Sequence, residues 1–153
     1  MTKADQTPGC VLCRAIGGAS GADRLVVHAG ERNFVVMNLF PYNGGHVMVA
    51  PRRHVGSLAE ATLEELSEMM ALARRLEAVF QEAYRPDGIN VGMNLGRPAG
   101  AGIADHLHVH LVPRWTGDTN FMTVVGEVRV LPEELPATAD KLRQIFKRLA
   151  NDL

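Results

Sequence analysis

The sequence has no long apolar run, no surplus of one charge and almost no cysteine, and each shortage narrows what the chain can be. Its longest apolar stretches, such as "FVVM", are far too short to span a bilayer. The polar start "MTKADQTPGC" lacks the charged and apolar regions of a signal peptide. No membrane association is therefore expected, and a cytoplasmic protein is. Lysine and arginine number 16 against 17 acidic residues, so bulk charge invites neither nucleic acid nor an anionic membrane as partner. Any anion must be held locally. Two cysteines cannot build a disulfide framework; Cys10 and Cys13 in "CVLC" suit metal ligands or a redox pair better than a bridge, and spacing alone does not decide between those two. No repeat, low-complexity tract or Pro/Gly/Ser-rich linker divides the chain. Its 153 residues, 46% of them hydrophobic, are read as one domain over 1–153 with a real core.

What is present is a clear succession of periods. Short β-type runs come first: "RLVVH" (24–28), "FVVMN" (34–38) and "HVMVAP" (46–51), with turn chemistry in "HAGERN" and "PYNGG" between them. They predict a small antiparallel meander. From Thr62 the period becomes helical, with Leu63, Leu66, Met70, Ala73, Leu76, Phe80 and Tyr84 on one stripe, a Thr62/Glu65 capping box at the start and Pro86 at the end. Met69 and Met70 are read as core filler. β-type pattern returns in "INVGMNL" (89–95) and "HLHVHLVP" (106–113), joined through the glycine-rich "GRPAGAG", whose backbone N–H groups can approach an anion. An extended "FMTVVGEVRVLP" (121–132) and an amphipathic helix with Leu142, Ile145, Phe146 and Leu149 complete the chain. The sum is an α+β domain.

Three of the six histidines stand at alternate positions in "DHLHVHLVPRW". On a strand, residues two apart share a face and lie about 6.5–7 Å apart, so His106, His108 and His110 form a row backed by Leu107, Val109 and Leu111. One reading is a metal site, because two histidines of an H-x-H can converge on one ion. A row of about 13 Å is too long for a single tetrahedral ion, so at least one imidazole does something else. The other reading is nucleophilic catalysis. A ring nitrogen attacks phosphorus, neighbouring donors hold the phosphoryl oxygens and leaving group, and loop N–H groups meet the developing charge.

With its upstream companion "NLFPYNGGHVMVAPRRH", the segment "HLHVHLV" resembles the signature of the histidine triad superfamily of nucleotide hydrolases and transferases. The similarity runs from "CVLC" to "NFMTVVG". It implies a HIT-like α+β fold: an antiparallel sheet of about five strands with one long helix and a C-terminal helix. It implies His108 as the nucleophile, with His110 and His46 beside the phosphate. Asn38 stands where the family contacts ribose, and Asn94 where it places an Asn beside the phosphate. Ala101 and Gly102 stand where many members carry a Gln, Ser or Thr that donates to the phosphate, so here one side-chain hydrogen bond is missing. Cys10, Cys13, His54 and His106 match the four ligands of zinc-bearing members, a closed and structural type of site. Clustered carboxylates for a catalytic divalent cation are not evident.

Past the triad, "PRWTGDTNFMTVVG" looks like the branch of bacterial diadenosine tetraphosphate phosphorylases. By that resemblance Trp115 lies at the substrate site, where an indole can pack on a base. Arg52, Arg53, Arg97 and Arg114 are candidates for holding phosphates. The implied reaction is attack by His108 on the α-phosphorus of a dinucleoside polyphosphate, with release of the nucleotide from a nucleotidyl-histidine by inorganic phosphate or water. A nucleoside phosphoramidate hydrolase and a nucleotide-binding or interaction module with incidental catalysis are the alternatives. The family analogy also implies a homodimer.

Overall fold

In the computed structural model, residues 9–18, 22–118 and 133–149 are described. Five strands, β1 (Val26–Ala29), β2 (Asn33–Met37), β3 (Val47–Pro51), β4 (Gly88–Gly92) and β5 (Val109–Arg114), form one sheet in the order β1-β2-β3-β5-β4. Every pairing is antiparallel. With them come the helices α1 (Val11–Ile16), α2 (Leu63–Tyr84) and α3 (Leu135–Arg148). The expected α+β architecture and the opening meander are both observed. The stretch 121–132, expected to be extended, lies outside the described residues. No described helix is long and apolar enough to cross a membrane.

The two-residue period of the strands divides the core into two layers. Val35, Met37, Val47, Val49, Val109 and Leu111 face the thick layer, where α2 and α3 supply Met69, Leu76, Phe80, Leu142 and Phe146. Phe34, Val36, Met48 and Ala50 face the other way, where, among the described residues, Leu12 and Ala15 of α1 join them in a smaller buried cluster. Because Val109 and Leu111 point into the thick layer, His108 and His110 point to the thin one. A six-residue helix covers little of a sheet, and this face retains room for a ligand.

Local chemistry sets the long helix. Thr62 accepts from the Glu65 N–H (3.2 Å) and Glu65 accepts from the Thr62 N–H (2.8 Å), so the expected capping box is formed. Arg85 ends the helix in the left-handed region (φ 48°), and Pro86 cannot continue it. The buried stripe differs from the one expected. Leu63 and Met70 are 78% and 56% exposed, while Met69, Leu72 and Val79 are buried with Ala73, Leu76 and Phe80. Apolar residues wrap so much of this helix that two adjacent stripes satisfy the period. Packing against the sheet selects the one centred on Met69, Leu76 and Phe80.

Polar ties fasten the helices to the meander. The Glu68 carboxylate accepts from the N–H groups of Glu31, Arg32 and Asn33 and from Asn33 Nδ2, at 2.7–2.9 Å. Burial pushes its pKa up, but these hydrogen bonds outweigh burial and the net shift is downward. Arg143 of α3 donates to the carbonyls of Arg24 and Val26. His28 of β1 stacks on Phe146 with ring centroids 4.4 Å apart, and the Arg75 guanidinium lies 4.0 Å over the Phe146 ring.

Burial lowers the His28 pKa below its ordinary 6.5, Arg75 adds to that shift, and Glu68 opposes it. The fold thus favours neutral His28, and its contribution to stability is complete above pH 6.5 and is lost as pH falls from there through the folded pKa. Urea unfolding at pH 7 and pH 5 is expected to show a smaller acid-induced loss for His28→Phe than for the native chain. Equal losses in the two proteins would remove His28 from the account.

Candidate active site and metal centre

Cys10 caps the N-terminus of α1 and Cys13 follows three residues on, so both thiols leave the same side of the chain. His54 lies beyond the end of β3, and His106 just before β5. His106 Nδ1 is 3.3 Å from Cys10 Sγ and 3.6 Å from Cys13 Sγ, and His54 Nδ1 is 3.4 Å from Cys13 Sγ. All four donor atoms lie within 4.8 Å of one another. Two sulfurs and two nitrogens around one tetrahedral ion stand roughly 3.3–3.8 Å apart at ordinary bond lengths. The residues therefore fit a metal. His106 Nε2 donates to the Pro51 carbonyl at 2.8 Å, which leaves the Nδ1 lone pair for the ion. Burial lowers the His106 pKa to about 4, with His54 and His108 adding to the shift and the Pro51 hydrogen bond opposing it. A ligating imidazole must be neutral, and this one is.

The expected row of three strand histidines is only partly regular. His110 lies within β5, but His106 and His108 precede its first residue. Continuing the β3–β5 register would set Pro51 opposite Leu107, and proline has no N–H to give. The Leu107 N–H donates to the Val55 carbonyl instead, at 2.6 Å. The Pro51 carbonyl is taken by the His106 ring.

Hydrogen bonds fix the tautomers of the other imidazoles. His108 Nδ1 lies 2.7 Å from the His106 carbonyl. A carbonyl only accepts, so Nδ1 carries the proton and Nε2 presents its lone pair. The Tyr42 N–H donates to His46 Nδ1 at 3.0 Å, which puts the His46 proton on Nε2. That N–H reaches His110 Nδ1 at 2.9 Å, and the His110 proton is thereby placed on its own Nε2. Burial and the neighbouring His108 lower the His110 pKa to about 4. The result is one imidazole with an available lone pair beside another with an available N–H, their ring centroids 4.8 Å apart.

Both rings line an apolar cavity of about 650 Å³ on the thin face, walled by Leu12 and Ala15 of α1, Val36 and Met48 of the sheet, and Asn38 and Ile103. Asn38 Nδ2 lies 3.3–3.4 Å from both His46 ring nitrogens, and its Oδ1 accepts from the Phe40 N–H. Gly102 also lines this cavity, whereas Ala101 is buried and does not. Asn94 closes the glycine loop by donating to the Gly100 carbonyl at 3.3 Å, and it borders a second cavity beyond His110. Ahead of His46, Gly45 has φ 79°, and an added Cβ would meet the Tyr84 ring at 2.7 Å. Only glycine fits there.

Other candidate residues stand elsewhere. Trp115 lines neither cavity and meets Tyr84 edge-on, at 6.2 Å between centroids. Arg52 donates to the Gly30 carbonyl, Arg53 forks onto Glu65 and Arg114 forks onto Asp118. Arg97 belongs to an exposed 3₁₀ turn. Buried or half-buried carboxylates thus draw two of these arginines into the frame of the fold. Sequence reasoning also passed over two contributors. One is α1 as a cavity wall; the other is Tyr42, whose N–H sets the His46 tautomer from a segment that reads only as a turn.

A meander, a long helix and a cluster of four imidazoles on the thin face of the sheet are the features of a histidine triad domain. The chain matches the HIT domain family over residues 20–117 and belongs to it. It is 47% identical over 119 residues to the AP-4-A phosphorylase of Mycobacterium tuberculosis, across 78% of this chain and 61% of that protein. The chain thus spans about three fifths of that relative's length. It is 31% identical over 127 residues to the bis(5'-adenosyl)-triphosphatase of Dictyostelium discoideum, across 79% and 85% of the two chains. Among solved structures it resembles a Zn-bound histidine triad family protein from Mycobacterium smegmatis with a TM-score of 0.77 and 23% identity, over 95% of this chain and 98% of that one. At that identity the likeness speaks for the fold.

The tautomers can be measured directly. Nitrogen-15 spectra of the imidazoles are expected to show His108 protonated on Nδ1 and His110 on Nε2, with His110 neutral at pH 5 and titrating near 4. A His110 midpoint near 6.5, or the opposite tautomer, would break the hydrogen-bond chain from Tyr42.

Proposed function

We propose that the chain is a nucleotidyl transferase acting on dinucleoside polyphosphates, in the manner of a diadenosine tetraphosphate phosphorylase. The observation that carries this reading is the His108 ring, which lines the apolar cavity and is held by its Nδ1–H on the His106 carbonyl, so that Nε2 keeps its lone pair. A nucleoside bound there sets its α-phosphorus near Nε2. The lone pair forms a nitrogen–phosphorus bond, the bridging phosphorus–oxygen bond breaks, and ATP leaves from diadenosine tetraphosphate. Phosphate then attacks the nucleotidyl-histidine to release ADP, or water does so to release AMP. His46 and His110 present the His110 Nε2–H to a phosphoryl or leaving oxygen. Asn38 and Gly102 border the nucleoside, Asn94 and Ala101 belong to the loop beside the phosphate, and Trp115 acts from a distance by packing on Tyr84. The similarity to a phosphorylase and to a triphosphatase supports the substrate class, and the higher identity to the former favours phosphate as acceptor.

The cleanest test incubates the purified protein with diadenosine tetraphosphate, with and without inorganic phosphate, beside His108→Ala. ATP and ADP are expected only with phosphate, and the variant is expected to lose at least about a thousandfold in kcat. AMP in place of ADP would make the enzyme a hydrolase. No turnover under either condition would sink the reading.

The metal in this reading is zinc, supported by a donor set of two thiols and two imidazoles. Four protein ligands close the coordination sphere, so the ion supplies structure and no open position for substrate. It ties α1 to the segments before β5 and after β3. Elemental analysis is expected to find one zinc per chain, and Cys13→Ser to lose it along with more than about 5 °C in Tm. Undiminished stability in a zinc-free variant would count against a structural role. The reading also includes a single HIT domain over 1–153, a cytoplasmic location and a homodimer. The exposed Leu63 and Met70 of α2 and the outer edge of β4 support the dimer.

A further inference from the structure

We propose that the second cavity, beyond His110, is a separate subsite for the distal nucleoside of the substrate. This rests on the dinucleoside polyphosphate reading above and extends it to the half of the molecule that leaves. The cavity holds about 390 Å³ between β4, the end of β5 and the turn before His46. Tyr42 and His110 line both cavities. A ligand that passes from one to the other therefore crosses the imidazoles at its middle, where a polyphosphate chain belongs.

The lining selects what the second cavity takes. Its charged groups are already closed on one another: Arg114 Nε and one terminal nitrogen meet the two Asp118 oxygens at 2.6 Å each, and the other terminal nitrogen donates to Asn90 Oδ1 at 2.9 Å. Asn43 Nδ2 donates to Asp118 at 2.8 Å and to the Pro113 carbonyl at 3.2 Å, which stiffens the wall. A salt bridge satisfied in this way gives a small anion such as inorganic phosphate little attraction. What faces a ligand is neutral. Asn90 spends its oxygen on Arg114 and offers its amide N–H groups, while Asn94 spends N–H on Gly100 and offers its oxygen. Donor and acceptor amides beside the apolar surfaces of Tyr42 and Val112 suit a nucleobase edge and face. The first cavity is more apolar in its walls and borders the nucleophile, so the two nucleosides are held by different chemistry.

Such a subsite gives the enzyme a means of preferring dinucleoside over mononucleoside substrates, because binding energy from the non-reacting half becomes available at the reacting phosphorus. Calorimetry with a methylene-bridged diadenosine tetraphosphate and with adenosine 5'-tetraphosphate tests it without turnover. Both carry four phosphates, and only the first has a distal adenosine. The intact protein is expected to bind the dinucleoside about tenfold more tightly. Asn90→Ala, and Gly92→Trp, which fills the cavity from the strand position paired with His110, where an added Cβ meets nothing within 4 Å, are each expected to erase that preference while binding adenosine tetraphosphate within about twofold of the native affinity. Equal binding of the two ligands by the intact protein would overturn the subsite. So would parallel losses for both ligands in both variants. Neither result touches the His108 chemistry, which stands or falls on the turnover assay.

Discussion

The site depends on how His106 is held. Its ring gives Nε2–H to the Pro51 carbonyl and turns Nδ1 toward two thiols, and its own carbonyl takes the Nδ1–H of His108. One residue thus joins the end of β3, the cluster of two thiols and two imidazoles, and the imidazole proposed to attack phosphorus. Pro51 makes this possible, since the break in the ladder that proline imposes frees its carbonyl for a side chain. The cost of burying an imidazole is met by satisfying both of its nitrogens. A ring in that position cannot rotate without breaking several contacts at once, and His108 inherits the constraint through a single backbone carbonyl.

A second constraint is the scarcity of charge on the thin face. Glu65 and Asp118 draw Arg53 and Arg114 into forked pairs, so among the described residues Arg14 is the one charged side chain lining the cavity that His108 borders. Burial lowers the His110 pKa to about 4, and the ring therefore acts near neutral pH as a hydrogen-bond donor and not as a cation. Oriented neutral donors need little reorganisation when charge develops, provided the frame is rigid. Rigidity comes from the relay that starts at the Tyr42 N–H and runs through His46. Its strength lies in fixing which nitrogen of each ring carries the proton, a choice that free imidazoles leave open.

Much of the fold was legible because local signals and packing agree. The Thr62/Glu65 capping box and the Pro86 stop are sequence-local, and both appear in the structure as expected. The stripe of α2 was misjudged by one step around the helix, because Leu63 and Met70 fit the period as well as Met69 and Leu72 do, and only the sheet discriminates. In the site, the alternation of His106, His108 and His110 marked the place, and the Cys10, Cys13, His54 and His106 side chains converge as the resemblance implied. The tautomers were beyond reach, since they depend on which carbonyl or N–H happens to face each ring. Arg53 and Arg114 were also illegible as structural residues, because their carboxylate partners lie at positions that only the folded chain brings near. Trp115 carried a functional expectation from the segment around it, yet its indole meets Tyr84 at the end of α2.

The asymmetry of the two layers explains why the site forms where it does. The face behind Val109 and Leu111 is packed by two helices and excludes ligands. Among the described residues the opposite face is covered by the six residues of α1, too few to hold a helix in isolation, so α1 stays in place through Leu12, Ala15 and the thiols at Cys10 and Cys13. The same short helix walls the cavity that His108 borders. A thicker cover would have filled the cavity, and a cover without the Cys10/Cys13 anchor would rest on two buried side chains alone. The cluster of two thiols and two imidazoles therefore fits a thin face that keeps an open cavity beside an ordered short helix.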